Sequence, residues 1–304
     1  MNNKSVYAIG LMLLSSIWFG LQAWITQIGI RSSSALAFNT ERYLIAAVAM
    51  GSICLITRAK FTKKAVFGGF AVGVAYAFTI GLESQALAYG AAGRVTFIGS
   101  LFVAFTPFLG YFLRSEKLYR VTIVGSLIML IGAAQLLLAP NGSTTGDIYG
   151  ILRAVACSLM LILVGHYSKT DWRVMCFVNS VTITLMSFLG AMLTGQTQFS
   201  LQTEVLIPVA VSGAIGSVGC FIMMTWAGRY ISGAFMSVLF FMDSPFSVIW
   251  GVLLFKEVLS SGSVAAYLLI AIGAMLALTA GKFRVPSFNI SLKERMRVKS
   301  ITVN

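Results

Sequence analysis

Three ionisable side chains stand inside stretches otherwise built of apolar residues: Glu83, Arg153 and Asp243. A charge in hydrocarbon costs a few kcal/mol unless it is paired or wetted, so each is a functional candidate by default. Glu83 could bind a substrate amine or carry a proton; its structural reading is a partner for Arg153 or Arg42. Asp243 stands two residues before Pro245, where backbone freed by the imino acid could help solvate a proton site or cation ligand. Arg153 could hold a carboxylate or phosphate, or snorkel to the nearer water interface. No constellation for bond chemistry accompanies them: the sequence has no HExxH, GxSxG or Walker loop, and its single histidine, His166, cannot supply a metal cluster. Catalytic residues, metal ligands and cofactors are therefore expected to be none. His166 reads as a solvated residue near an interface, with a pH-sensing role as the alternative. Cys54, Cys157, Cys176 and Cys220 lie in apolar runs without CxxC spacing and read as small packed hydrophobes.

The elements that must position these groups are set by composition. The 304 residues are 58% hydrophobic and only 10% charged, with a mean hydropathy of +0.89. A soluble chain of this length needs a far more polar surface, and an outer-membrane barrel would alternate at period two, whereas the runs here are long and unbroken. The sequence predicts an all-α integral membrane protein of ten spans: Val6–Ile30, Ala35–Ile56, Ala65–Tyr89, Val95–Leu113, Val121–Ala139, Ile148–Tyr167, Val174–Leu193, Val205–Ala227, Ala234–Phe255 and Val264–Ala280. The net charge of +13 resides mainly in loops and tail, which argues for topological charge and against a nucleic-acid partner. Seventeen of the 22 lysines and arginines fall in segments on one side, leaving Arg31, Arg94 and Lys256 in the opposite loops, so both termini are expected in the cytoplasm.

Two stretches echo one another. Thr106-Pro107-Phe108 stands against Ser244-Pro245-Phe246, and Glu116 against Glu257. Ile131-Gly132-Ala133 and Ile272-Gly273-Ala274 keep the spacing of the Glu pair, while the Pro pair is three residues closer. Five spans per half make the second half enter the membrane with opposite polarity, a 5+5 inverted-topology repeat. The expected units are 1–140 and 147–281, followed by a basic cytoplasmic tail, 282–304, that anchors by its charge or lies on anionic lipid. Broken spans at matching places in two such halves point to a transporter with its site between them, and Pro107, Pro245, Glu116 and Glu257 become candidate kink and gating positions.

The residues also resemble a known family. Trp18-Phe19-Gly20, Glu41-Arg42-Tyr43-Leu44-Ile45-Ala46-Ala47, Ala86-Leu87-Ala88-Tyr89 with Ala91-Ala92-Gly93, and the two Pro-to-Glu helices are similar, in order, to motifs of the drug/metabolite transporter superfamily, EamA type. The resemblance covers about residues 6–280 and departs from the pattern at Phe19, between the tryptophan and the glycine. It implies a central cavity lined chiefly by helices 1, 3, 4, 6, 8 and 9 and alternating access, often for export. Arg42 with Glu41 reads as structural, because it matches a motif shared by members with unlike cargoes. On the implied lining helices Trp18, Trp24, Tyr76, Phe102 and Trp226 could stack on a flat substrate or simply pack. The expected substrate-binding set is Trp18, Tyr76, Glu83, Phe102, Arg153 and Asp243, with Glu83 and Asp243 as proton-coupling candidates. The expected function is secondary export of a small metabolite, an amino acid or relative, across the bacterial inner membrane. Import of an anionic or nucleobase-like metabolite is one alternative and a membrane scaffold without transport another. The expected partners are the small-molecule substrate and the lipid bilayer; coupling to a proton or counter-substrate, and a homodimer, stay open.

Overall fold

A computed structural model describes residues 3–114, 118–138, 143–200, 202–231, 233–257, 259–279 and 287–288. Glu116, most of the basic tail and much of the inter-repeat linker lie outside the described residues. The chain is helical: α1 Asn3–Gly29, α2 Ala35–Ile56, α3 Lys63–Tyr89, α4 Ala92–Gly99, α5 Phe102–Arg114, α6 Arg120–Leu137, α7 Thr144–Tyr167, α8 Trp172–Thr194 and α9 Thr203–Val211. A π-helical stretch, Ser212–Cys220, runs on into α10 Phe221–Ala227, followed by α11 Gly233–Phe241, α12 Asp243–Phe255 and α13 Ser261–Thr279. A two-residue strand pair, Leu118–Tyr119 with Ser287–Phe288, is antiparallel. Among the described residues eight helical stretches are long and apolar enough to cross a membrane, and Ser261–Ala277 is a shorter apolar helix. The remaining long helix, α2, carries Asn39, Thr40, Glu41 and Arg42 in its first half.

Polar side chains cap four of the helices, and three of these, α3, α7 and α8, start two to four residues before their apolar run. Ser34, Thr62, Ser143 and Asp171 accept backbone N–H groups of α2, α3, α7 and α8. The apolar run marks what hydrocarbon tolerates; the cap marks where the backbone begins to coil.

Inversion of the halves is visible in which residues touch. Gly125 of α6 meets Gly273 and Ala277 of α13, while Gly132 meets Ala266 and Ile270, so these counterpart helices run antiparallel. In the same way Gly51 of α2 meets Phe177 of α8 and Leu36 meets Gly190. By contrast α1 runs parallel to α11 and α12, with Ser16 Oγ donating to the Leu239 carbonyl and Trp24 Nε1 to that of Ser247. The mirror pairing, α7 parallel to α4 and α5, places Gly150 on Ile98 and Ser158 Oγ on the Phe102 carbonyl. Counterparts antiparallel and cross-pairs parallel is the arrangement of two oppositely inserted halves.

The breaks differ from the expectation that proline interrupts each span. The first lies at Ser100–Leu101, where Leu101, Val103 and Ala104 bond three residues back, and Pro107 sits well inside α5. The second lies at Met242, with Pro245 in the first turn of α12, where its missing N–H has no helical partner to lose. Leu101 and Met242 keep the spacing of the Glu and Ile-Gly-Ala pairs. The breaks are therefore the equivalent features, and the prolines are not.

Candidate functional site

The side chains of the site come from five helical stretches that meet at these breaks. On α3, Tyr76, Thr79 and Glu83 repeat at three and four residues and so share a face. Phe19 and Gln22 come from α1, Arg42 from α2, Arg153 from α7, and Phe240 and Asp243 flank the break at Met242. Together they line an enclosed cavity of about 20 Å³, room for about one water molecule. A metabolite does not fit this conformation; the cavity is closed around its charges.

Arg153 is 3% exposed. Its Nη2 lies 2.9 Å from Glu83 Oε1 and 3.8 Å from Asp243 Oδ2, so it does not snorkel. Its Nε and Nη1 are buried without an acceptor. Nη1 occupies the place a Cβ would take on Gly99, the last residue of α4: only a glycine there lets the guanidinium reach the two acids. Asp243 is 2% exposed and begins α12 immediately after the break. Ser244 Oγ lies 2.9 Å from its Oδ1 and 3.0 Å from the Thr96 carbonyl. One hydroxyl has one proton, so the Asp243 carboxylate and the Thr96 carbonyl share it as acceptors. Gly20 brings α1 against this turn, a Cβ there falling 2.7 Å from the Asp243 carbonyl.

Of the residues expected to bind substrate, Tyr76, Glu83, Arg153 and Asp243 line the cavity. Tyr76 stacks on Phe221 at 5.4 Å and meets the edge of Tyr43. Trp18 and Phe102 stand outside this lining. Trp18 Nε1 donates to Gln22 Oε1 at 3.0 Å, orienting that amide, and Phe102 packs on Phe240. Trp24 stacks on Phe255 and Trp226 packs on Tyr230, both away from the cavity. His166 is exposed at the end of α7, edge-on to Tyr167. The four cysteines are buried and free.

Arg42 is the largest departure from the sequence reading. Read as structural together with Glu41, it lines the cavity, while Glu41 accepts from Ser200 N before α9. Gln22, Thr79, Phe19 and Phe240 were also not anticipated. A neutral amide or hydroxyl in a span is as often packing as binding, and only the intrusion of Gln22 into an apolar run gave a signal.

Two further ionisable groups lie together at one end of the bundle. Arg94, expected as a loop charge, is buried and gives Asp147 two bonds of 2.9 and 2.7 Å, tying α4 of the first half to α7 of the second. Glu257 lies just past α12. Its N–H donates to the Gly251 carbonyl, its Oε2 is buried without a partner against Gly93 and Gly251, and burial raises its carboxyl above the usual range.

The family model described as the EamA-like transporter family matches residues 6–138 and again 144–279. An uncharacterized transporter of Archaeoglobus fulgidus is 25% identical over 260 residues, 84% of this chain and 81% of its own. A solved crystal structure, 18% identical, superposes with a TM-score of 0.67 over 92% of this chain and 98% of its own, a likeness of fold.

Proposed function

The chain belongs to the EamA-like transporter family, and from that premise we propose that it is a secondary exporter of a small metabolite, an amino acid or related compound, in the bacterial inner membrane. One observation carries this reading. Two guanidiniums and two carboxylates converge on an enclosed cavity where two oppositely inserted halves meet at broken helices. Burying four ionisable groups costs several kcal/mol per ion before pairing returns part of it, and packing alone gives no return for that cost. A cargo carrying both charges does.

Alternating access would rock the halves about the breaks at Ser100–Leu101 and Met242, where the backbone already leaves α-helical bonding for bonds three residues back. The Arg94–Asp147 pair would close one end. Coupling would run through Asp243 and Glu83, which share Arg153. Each proton taken up loosens one grip on Arg153.

The test is counterflow in liposomes holding the purified protein, with a mixture of amino acids and related metabolites on both sides and a labelled trace outside, at imposed pH gradients. Exchange of at least one labelled amino acid, lost in Glu83→Gln, supports the reading. Protein that is monodisperse yet exchanges none under any gradient would overturn it. Import of an anionic metabolite is the second reading, favoured by the unpaired Arg42; uptake of a carboxylate lacking an amine would establish it.

A further inference from the structure

We propose that Arg42 is the anchor for the cargo's anionic group, a carboxylate, and that Glu83 and Asp243 in the same cavity receive its ammonium group, so that the cargo is an α-amino-acid-like zwitterion held by both ends. This deepens the transport reading and rests on it.

Charge bookkeeping supplies the first argument. Arg153 is shared by Glu83 and Asp243, so that cluster keeps one negative charge in excess when both acids are ionised. Arg42 supplies the balancing positive charge but lies in no ion pair among the described residues. It is 3% exposed, and among the described residues its hydrogen bond goes from Nε to Ser217 Oγ at 2.8 Å. Its guanidinium carbon stands 5.0 Å over the Tyr43 ring. An aromatic face and one hydroxyl hold the planar fork in place, and among the described residues its two terminal nitrogens meet no acceptor. A fork held flat by its edge and face is suited to receive a carboxylate in two parallel bonds.

The backbone supplies the second argument. Ser217 belongs to the nine-residue π-helix Ser212–Cys220, a rare geometry that recurs frequently at functional sites. This stretch is fitted to the cavity wall. A Cβ on Gly213 would fall 2.9 Å from the Arg42 carbonyl, and one on Gly216 would overlap Gln22. The widened turn thus sets Ser217 on Arg42 and admits Gln22 beside it. A clamp between α2 and this stretch alone would not require a cation.

The experiment uses the full chain in lipid nanodiscs and reads binding by thermal stabilisation. The probes are the L-amino acids, followed by the amide and the N-acetyl derivative of each that binds; the amide lacks the carboxylate and the N-acetyl form lacks the ammonium group. Wild type should bind at least one amino acid more than tenfold tighter than either derivative. Arg42→Gln should lose that preference over the amide while binding the amide as wild type does, and Arg42→Lys should restore part of it. Ser217→Ala, which keeps the charge but frees the fork, should shift it in the same direction by less, and it stands in should Arg42→Gln fail to fold. An Arg42→Gln protein that still prefers the amino acid to its amide overturns the assignment, as does a wild type that binds no amino acid. Binding without flux in liposomes would instead overturn the transport reading and leave the Arg42 assignment standing.

Discussion

At the scale of single residues, the buried charges are coupled strongly enough that removing one exposes the cost of the others. Arg153→Gln leaves Glu83 and Asp243 near one another with no shared cation, and breaking a buried pair in this way costs about 3–5 kcal/mol. The variant should melt well below wild type at neutral pH, and Arg153→Gln with Asp243→Asn should recover part of the loss, a non-additivity that a double-mutant cycle measures directly. If the two substitutions simply add, the three side chains do not act as a unit. Gly99 gives a second, steric test. Because Arg153 Nη1 occupies the place of its missing Cβ, Gly99→Ala must displace the guanidinium from the acids and should reduce counterflow at least tenfold. Gly10→Ala, in open space on α1, should leave it unchanged. Glu83, Arg153 and Asp243 were legible as candidates because an ionisable group in hydrocarbon announces its own cost. Arg42 reads as structural from the sequence because it falls in a motif shared by members with unlike cargoes, whereas the fold turns Arg42 to the cavity and Glu41 to Ser200.

Helices themselves were read closely from the apolar runs, and what the runs missed has physical causes. Caps extend the helices past the hydrocarbon, as at Ser143 and Asp171, and the breaks follow backbone packing at Leu101 and Met242 instead of the prolines. Gly99-Ser100 at the first break and Asp243-Ser244-Pro245 after the second are residue types that accept a turn, but they stand inside apolar runs where the prolines drew the reading. The cap of α8 carries a pH dependence. Asp171 Oδ1 accepts from Arg173 N and Nε at 3.0 Å each and Oδ2 accepts from Nη2 at 2.6 Å. Hydrogen bonding to the Arg173 side chain holds the Asp171 carboxyl below its ordinary 3.8. A carboxyl depressed in the folded state adds stability at pH above its unfolded value and loses it as pH falls through the folded one. Wild type should therefore lose melting temperature below about pH 4, and Asp171→Asn, which keeps a capping oxygen without the charge, should lack that share of the decline. Asp171→Ala removes the cap as well and should cost about 1 kcal/mol at neutral pH. Identical acid profiles for wild type and Asp171→Asn would show that the cap does not titrate as described.

For the molecule as a whole, inversion of two related halves makes each end of the bundle a repacked version of the other. Under the proposed alternating access, a contact at one end without a counterpart among the described residues at the other would bias which end is closed. Arg94–Asp147 is such a contact: it joins the halves at the start of α4, is buried, and has two charge-assisted bonds. Its loss leaves either Arg94 or Asp147 buried and unpaired in the closed arrangement, a penalty relieved when that end opens to water. Opening shifts with the difference in free energy between the two arrangements, so a loss of a few kcal/mol moves the population by orders of magnitude. Cys157 reports on this without an added probe. It is fully buried, one helical turn along α7 from Arg153, and so lies beside the cavity but out of reach of solvent while both ends are shut. In a chain with Cys54, Cys176 and Cys220 replaced by serine, a small membrane-impermeant thiol reagent added on the side of the Arg94 end should label Cys157 slowly. Asp147→Asn should raise that rate tenfold or more, while the same reagent added from the other side should label it no faster than before. Equal acceleration from both sides would mean that the pair holds the fold together and does not govern one entrance. No change from either side would mean that the closed state draws no stability from it.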